Sequence, residues 1–83
     1  MTEHSRLLER ITARPGVFGG KPVVRDMRIS VESILSLLAQ GVSQEELLDD
    51  HPELAREDIL ACTAYAHAVV AGDTLATVKV GES

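Results

Sequence analysis

Phe18-Gly19-Gly20-Lys21-Pro22-Val23-Val24-Arg25-Asp26-Met27-Arg28-Ile29-Ser30-Val31 is the stretch on which the fold turns. Gly19 and Gly20 can take the positive φ angles that side chains resist. Pro22 biases Lys21 toward extended backbone. Val23 and Val24 are β-branched and suit a strand. Asp26 is a turn former, and Arg28-Ile29 resumes extension. Ser30 is a good helix N-cap before Val31. The stretch therefore predicts a small hairpin or paired β-arm that feeds directly into a helix.

Downstream, three helices are expected. Val31, Ile34, Leu35 and Leu38 make one apolar stripe over residues 31–40, with Gly41 placed to end it. Ser43 and Glu46 have the spacing of a capping box, and Val42 can staple onto Leu47, so a second helix begins there and stops before Pro52. A third helix is expected from Arg56 to Ala71, with Gly72 as terminator. Its main core face reads as Ile59, Cys62, Ala66, Val69 and Val70. A second apolar face holds Leu60, Ala64, Tyr65 and Ala68, and this is the expected partner-binding surface. Upstream, Leu7, Leu8 and Ile11 have helical spacing, compatible with a helical turn or with a frayed terminus, and 11–13 suits a strand. The tail from Thr74 to Val80 reads either as a strand or as a flexible segment that orders on a partner. The expected organisation is a β-arm over 1–30, a three-helix bundle over 31–72 and a tail over 73–83.

At 83 residues there is room for one domain. A chain of that size buries only about 60% of its unfolded surface. With one Phe, one Tyr and no Trp, small aliphatic side chains must fill the core, so association with a copy or a partner is expected. The net charge is −5, against a general nucleic-acid binder. Its distribution is uneven: residues 1–28 carry a net +3 and residues 29–83 a net −8. That suggests an acidic body with a basic arm, although ordinary surface charge would look the same. Cys62 is the sole cysteine, which excludes an internal disulfide or a cysteine-based zinc site within one chain. The chain opens without a secretory leader pattern and holds no apolar run long enough to span a bilayer, so a cytoplasmic location is expected, with no membrane association.

No catalytic constellation emerges. His4, His51 and His67 are scattered, and His51 beside Asp49 and Asp50 reads as a solvated helix end rather than a metal site. Gly19-Gly20-Lys21 lacks the full spacing of a phosphate loop and no helix follows it directly. Neither a cofactor nor an enzymatic activity is expected. Recognition remains. A short helix linked tightly to a longer one fits a helix-turn-helix, whose last helix would enter the major groove through Arg56, Glu57 and Asp58. Two acids there face phosphates unfavourably. The arm cations Lys21, Arg25 and Arg28 are the better DNA-binding candidates, with Arg56 a lesser one. In an extended strand Arg25 would hold its guanidinium free while Val24 packs inward. Arg28 fits a structural role equally well.

Pro15-Gly16, Gly19-Gly20, Pro22, Val24, Arg28-Ile29 and Val31 together resemble the signature P-G-x-x-G-G-x-P-x-h-x-G-T-R-h-x-V (h, apolar) of DUF433, a family of domains of unknown function. The likeness continues through Gly41 to Leu48, Asp50 to Leu54 and Asp58 to Ala71. Two positions depart from it: Asp26-Met27 stands where the family has Gly-Thr, and Ala55 where it has Thr or Ser. The resemblance implies a mainly α, homeodomain-like helix-turn-helix bundle with an N-terminal β-hairpin arm. It also implies an antitoxin of a toxin–antitoxin pair, which would silence a PIN-like ribonuclease toxin and repress its own operator DNA as a homodimer. The alternative is a protein-interaction module or transcription regulator without a toxin partner.

Overall fold

The structure, a computed structural model, describes residues 3–72, with side chains from residue 6 onward. It is mainly helical, with four helices and a two-stranded antiparallel sheet. The order is α1 (Glu3–Leu8), β1 (Ile11–Ala13), β2 (Pro22–Val24), α2 (Val31–Ala39), α3 (Gln44–Asp50) and α4 (Arg56–Ala71).

β1 pairs with β2 in the register Ile11 to Val24, Thr12 to Val23 and Ala13 to Pro22. The reversal between them passes through a 3-10 turn, Phe18–Gly20. Phe18, Gly19 and Gly20 take φ of 50°, 65° and 88° in succession, which explains the two glycines. Beyond β2, the Met27 N–H donates to the Val24 carbonyl at 2.9 Å and closes a turn. The Val24 N–H then donates to the Ile29 carbonyl at 3.0 Å, and Val23 bridges Ser30. The strand therefore has pairing on both sides, and the chain enters α2 directly. Ile11, Val23 and Val24 have no solvent exposure, so the sheet is part of the core rather than a projecting arm.

Ser30 caps α2, its Oγ accepting from the Ser33 N–H at 3.0 Å. At the other end Gly41 has φ of 95°, its N–H donates to Leu38 and the Val42 N–H to Leu37, which forms a Schellman motif. Both halves of the Ser43–Glu46 capping box are made, at 3.1 and 3.0 Å. His51 leaves helical geometry before Pro52, and Gly72 ends α4 in the left-handed region.

Two differences from the sequence reading bear on function. First, α1 is a fourth helix: it lies on α4, and Leu7 and Leu8 pack against the core. Second, α4 presents different faces from those expected. Ile59 and Cys62 are buried, but Val69 and Val70 are exposed. Ala61, Ala64, Tyr65 and Ala68 are buried within the chain itself. An apolar stripe tells a helix to bury a face but does not say against what. The tail expected from Thr74 to Val80 lies outside the described residues.

Candidate functional site

The segment that decided the fold takes part in three of the four ion pairs among the described residues, and one of them joins Arg25 to the buried Asp58. Arg25 follows β2 with φ of 45°, an uncommon conformation for a side-chain-bearing residue. Its backbone N–H donates to the Arg10 carbonyl at 2.7 Å. Its carbonyl accepts from Thr12 Oγ1 and from Arg14 Nη1, both at 3.1 Å. Its side chain turns toward α4, where Nε donates to Asp58 Oδ1 at 2.9 Å and Nη2 to Asp58 Oδ2 at 2.6 Å. Nη2 also reaches the Glu53 carbonyl at 3.3 Å. Arg10 Nη1 adds a bond to Asp58 Oδ1 at 3.0 Å.

Asp58 has no exposed surface. Besides the two guanidinium groups it accepts the Ala55 N–H through Oδ2 at 2.8 Å. Ala55 has no side-chain oxygen, so only this half of a capping box exists at the start of α4. Burial pushes the Asp58 carboxyl up. The hydrogen bonds from Arg25, the Ala55 N–H and Arg10 outweigh it and hold the group below its ordinary range. Arg25 is raised in turn, chiefly by the bond to Asp58. The bidentate clasp ties both strands of the sheet to the N-terminus of α4, where a carboxylate also complements the helix dipole.

This corrects the expectation for Arg25, whose guanidinium is not free. The left-handed backbone at position 25 ends the strand and aims the side chain at Asp58. Lys21 is also engaged, its Nζ 2.9 Å from Glu32 Oε1 at the exposed start of α2. Arg28 and Arg56 are exposed, and neither has an ion pair among the described residues. Arg28 therefore makes no bond to helix-end carbonyls there. The partner-binding expectation is corrected too. Ala64, Tyr65 and Ala68 are buried in their own chain and Leu60 is half-buried, because α1 and the sheet already occupy α4. Burial pushes the Cys62 thiol up to about 12, so it stays protonated and unreactive at neutral pH.

The apolar surface left outside lies elsewhere. Phe18 and Val69 are each 48% exposed and Val70 is 86% exposed. Between α2 and the C-terminal half of α4 runs a groove lined by Pro22, Val31, Leu35, Tyr65 and Val69. Of the acids, Glu32 borders this groove, while Glu45, Glu46, Asp49 and Asp50 on α3, and Glu53 and Glu57 around the start of α4, are exposed and do not line it.

The profile of DUF433, "Protein of unknown function", matches residues 11–66, more than half of the chain. The chain belongs to the DUF433 family. That span runs from the first residue of β1 into the buried middle of α4, and it includes Arg25 and Asp58. A crystal structure of a DUF433 member from Anabaena variabilis is similar, at 31% identity and a TM-score of 0.65, over 86% of this chain and 68% of that one. The uncharacterized protein y4eO of Sinorhizobium fredii is 38% identical over 60 residues. Those residues are 72% of this DUF433 chain and 27% of y4eO, so the chain spans about a quarter of that protein's length. No described helix is long and apolar enough to cross a membrane.

Proposed function

We propose that this DUF433 chain is the antitoxin of a toxin–antitoxin pair and that it binds and silences a small PIN-like ribonuclease. One observation carries the reading. Among the described cations, Arg10, Arg14, Lys21 and Arg25 are held in ion pairs within the chain, while Glu45, Glu46, Asp49 and Asp50 of α3, with Glu53 and Glu57, face outward. The outward surface is thus acidic, which suits a basic protein cleft better than a polyanion. The class of partner is what the resemblance of the glycine–proline stretch to DUF433 implies.

The test is a cleavage assay. The purified chain is titrated into a purified PIN-like ribonuclease, taken from any such reading frame adjacent to its own, with RNA as substrate. Stoichiometric inhibition that weakens as salt rises is expected. Replacing Glu45, Asp49 and Asp50 by their amides should raise the inhibitor concentration required; Glu46 is left intact because it caps α3. A nuclease indifferent to the chain at every ratio refutes the assignment.

Repression of the operator through a helix-turn-helix made by α3 and α4 is a second reading. Arg28 and Arg56 favour it, since both are exposed and outside the ion pairs described above. In a mobility-shift assay Arg28→Ala or Arg56→Ala should weaken binding to all sequences alike and lower the salt slope by about 1 each. Binding that survives both substitutions with an unchanged slope excludes these two residues.

A further inference from the structure

We infer that two copies of this chain associate through the strip along α2 centred on Lys21 and Glu32, rather than through the interior face of α4. The strip has two halves. Phe18 and Leu37 flank Ser33 and Ser36 in one. Pro22, Leu35 and Val69 line the other. Lys21 and Glu32 border both, paired at 2.9 Å and both well exposed. Phe18 and Val69, at opposite ends, are among the most exposed large apolar side chains described. Phe18 also holds a left-handed φ of 50° with half its surface in water.

Charge selects the occupant. Copies with a net charge of −5 repel one another over most of their surface. The strip is locally neutral, with one cation beside one anion and apolar residues on either side. A two-fold contact must be self-complementary. A dyad at the centre of this strip sets Lys21 of each copy on Glu32 of the other and apolar ends on apolar ends. A basic protein or a nucleic acid finds no net charge there to bind. A chain of this size, with its small aliphatic core, also gains stability from the added burial.

The test uses the full chain and sedimentation equilibrium over micromolar to high micromolar concentrations, with circular dichroism to establish that each variant is folded. The parent should approach twice its 8.9 kDa mass as concentration rises. Lys21→Glu and Glu32→Lys should each weaken self-association about tenfold or more by placing like charges across the dyad. An equimolar mixture of these two variants should recover a heterodimer, since every cross-contact then has opposite signs. Val69→Ser, at an exposed position, should also weaken the dimer. A parent that stays monomeric overturns the inference. So does a dimer insensitive to either charge reversal, or a mixture of folded variants that fails to pair.

Discussion

At the scale of single residues, Asp58 combines complete burial with a charge, and four hydrogen bonds from three residues make that tolerable. Removing the charge while keeping the shape, Asp58→Asn, should cost about 2 to 3 kcal/mol at neutral pH, because two guanidinium groups lose a charged acceptor. The pH dependence follows from the lowered native value. Stabilisation is fully present above the unfolded-state value of about 3.9 and is lost as pH falls through the lower native one. The gap in urea midpoint between parent and Asn variant should therefore hold from neutrality down to about pH 4 and shrink below it. A gap that persists undiminished into stronger acid would show that ionisation is not what Asp58 contributes. Arg25 offers a second comparison. Ala and Gly both delete the guanidinium, but only Gly accepts φ of 45° without strain. Arg25→Gly should be more stable than Arg25→Ala by about 1 kcal/mol, the reverse of the usual order. Equal midpoints would mean that the backbone relaxes when the clasp is cut. Neither role was legible from local sequence. Asp58 stands three residues after the cap position, but its burial depends on arginines 33 and 48 residues away.

At the scale of elements, the boundaries were readable because their signals are local. Ser30, Gly41, Ser43 and Gly72 act on backbone groups within a few residues, and each acts where the pattern placed it. Faces were harder. Ala61, Ala64 and Ala68 of α4 are small enough to be buried closely, whereas Val69 and Val70 lie near its end and remain exposed. Hydrophobicity ranks them the other way round. α1 shows the same limit, since a six-residue helix has little stability of its own and forms because Leu7 and Leu8 find the core. Leu7→Ala with Leu8→Ala should accordingly cost about 2 kcal/mol, as expected for half-buried leucines. A melting midpoint matching the parent's would show that α1 only rests on α4.

At the scale of the whole molecule, the split between a basic first third and an acidic remainder is real in sequence but is largely consumed by folding. Arg10 and Arg25 reach into the acidic part to meet Asp58, and Lys21 reaches Glu32. A linear count of charge therefore overstated the cations available to DNA, and the apolar strip beside Lys21 had no linear signature at all. The long span of the Asp58 clasp also has a consequence in time. Loops of 33 and 48 residues must close before it forms, whereas the caps and turns of α2, α3 and α4 need only neighbours. Contacts of wide sequence separation carry the larger closure entropy. The clasp should then form late, on the native side of the main barrier. In stopped-flow denaturant jumps, Asp58→Asn should leave the refolding limb close to the parent's and speed unfolding about tenfold or more. The native state would form as quickly as before but last for a far shorter time once formed.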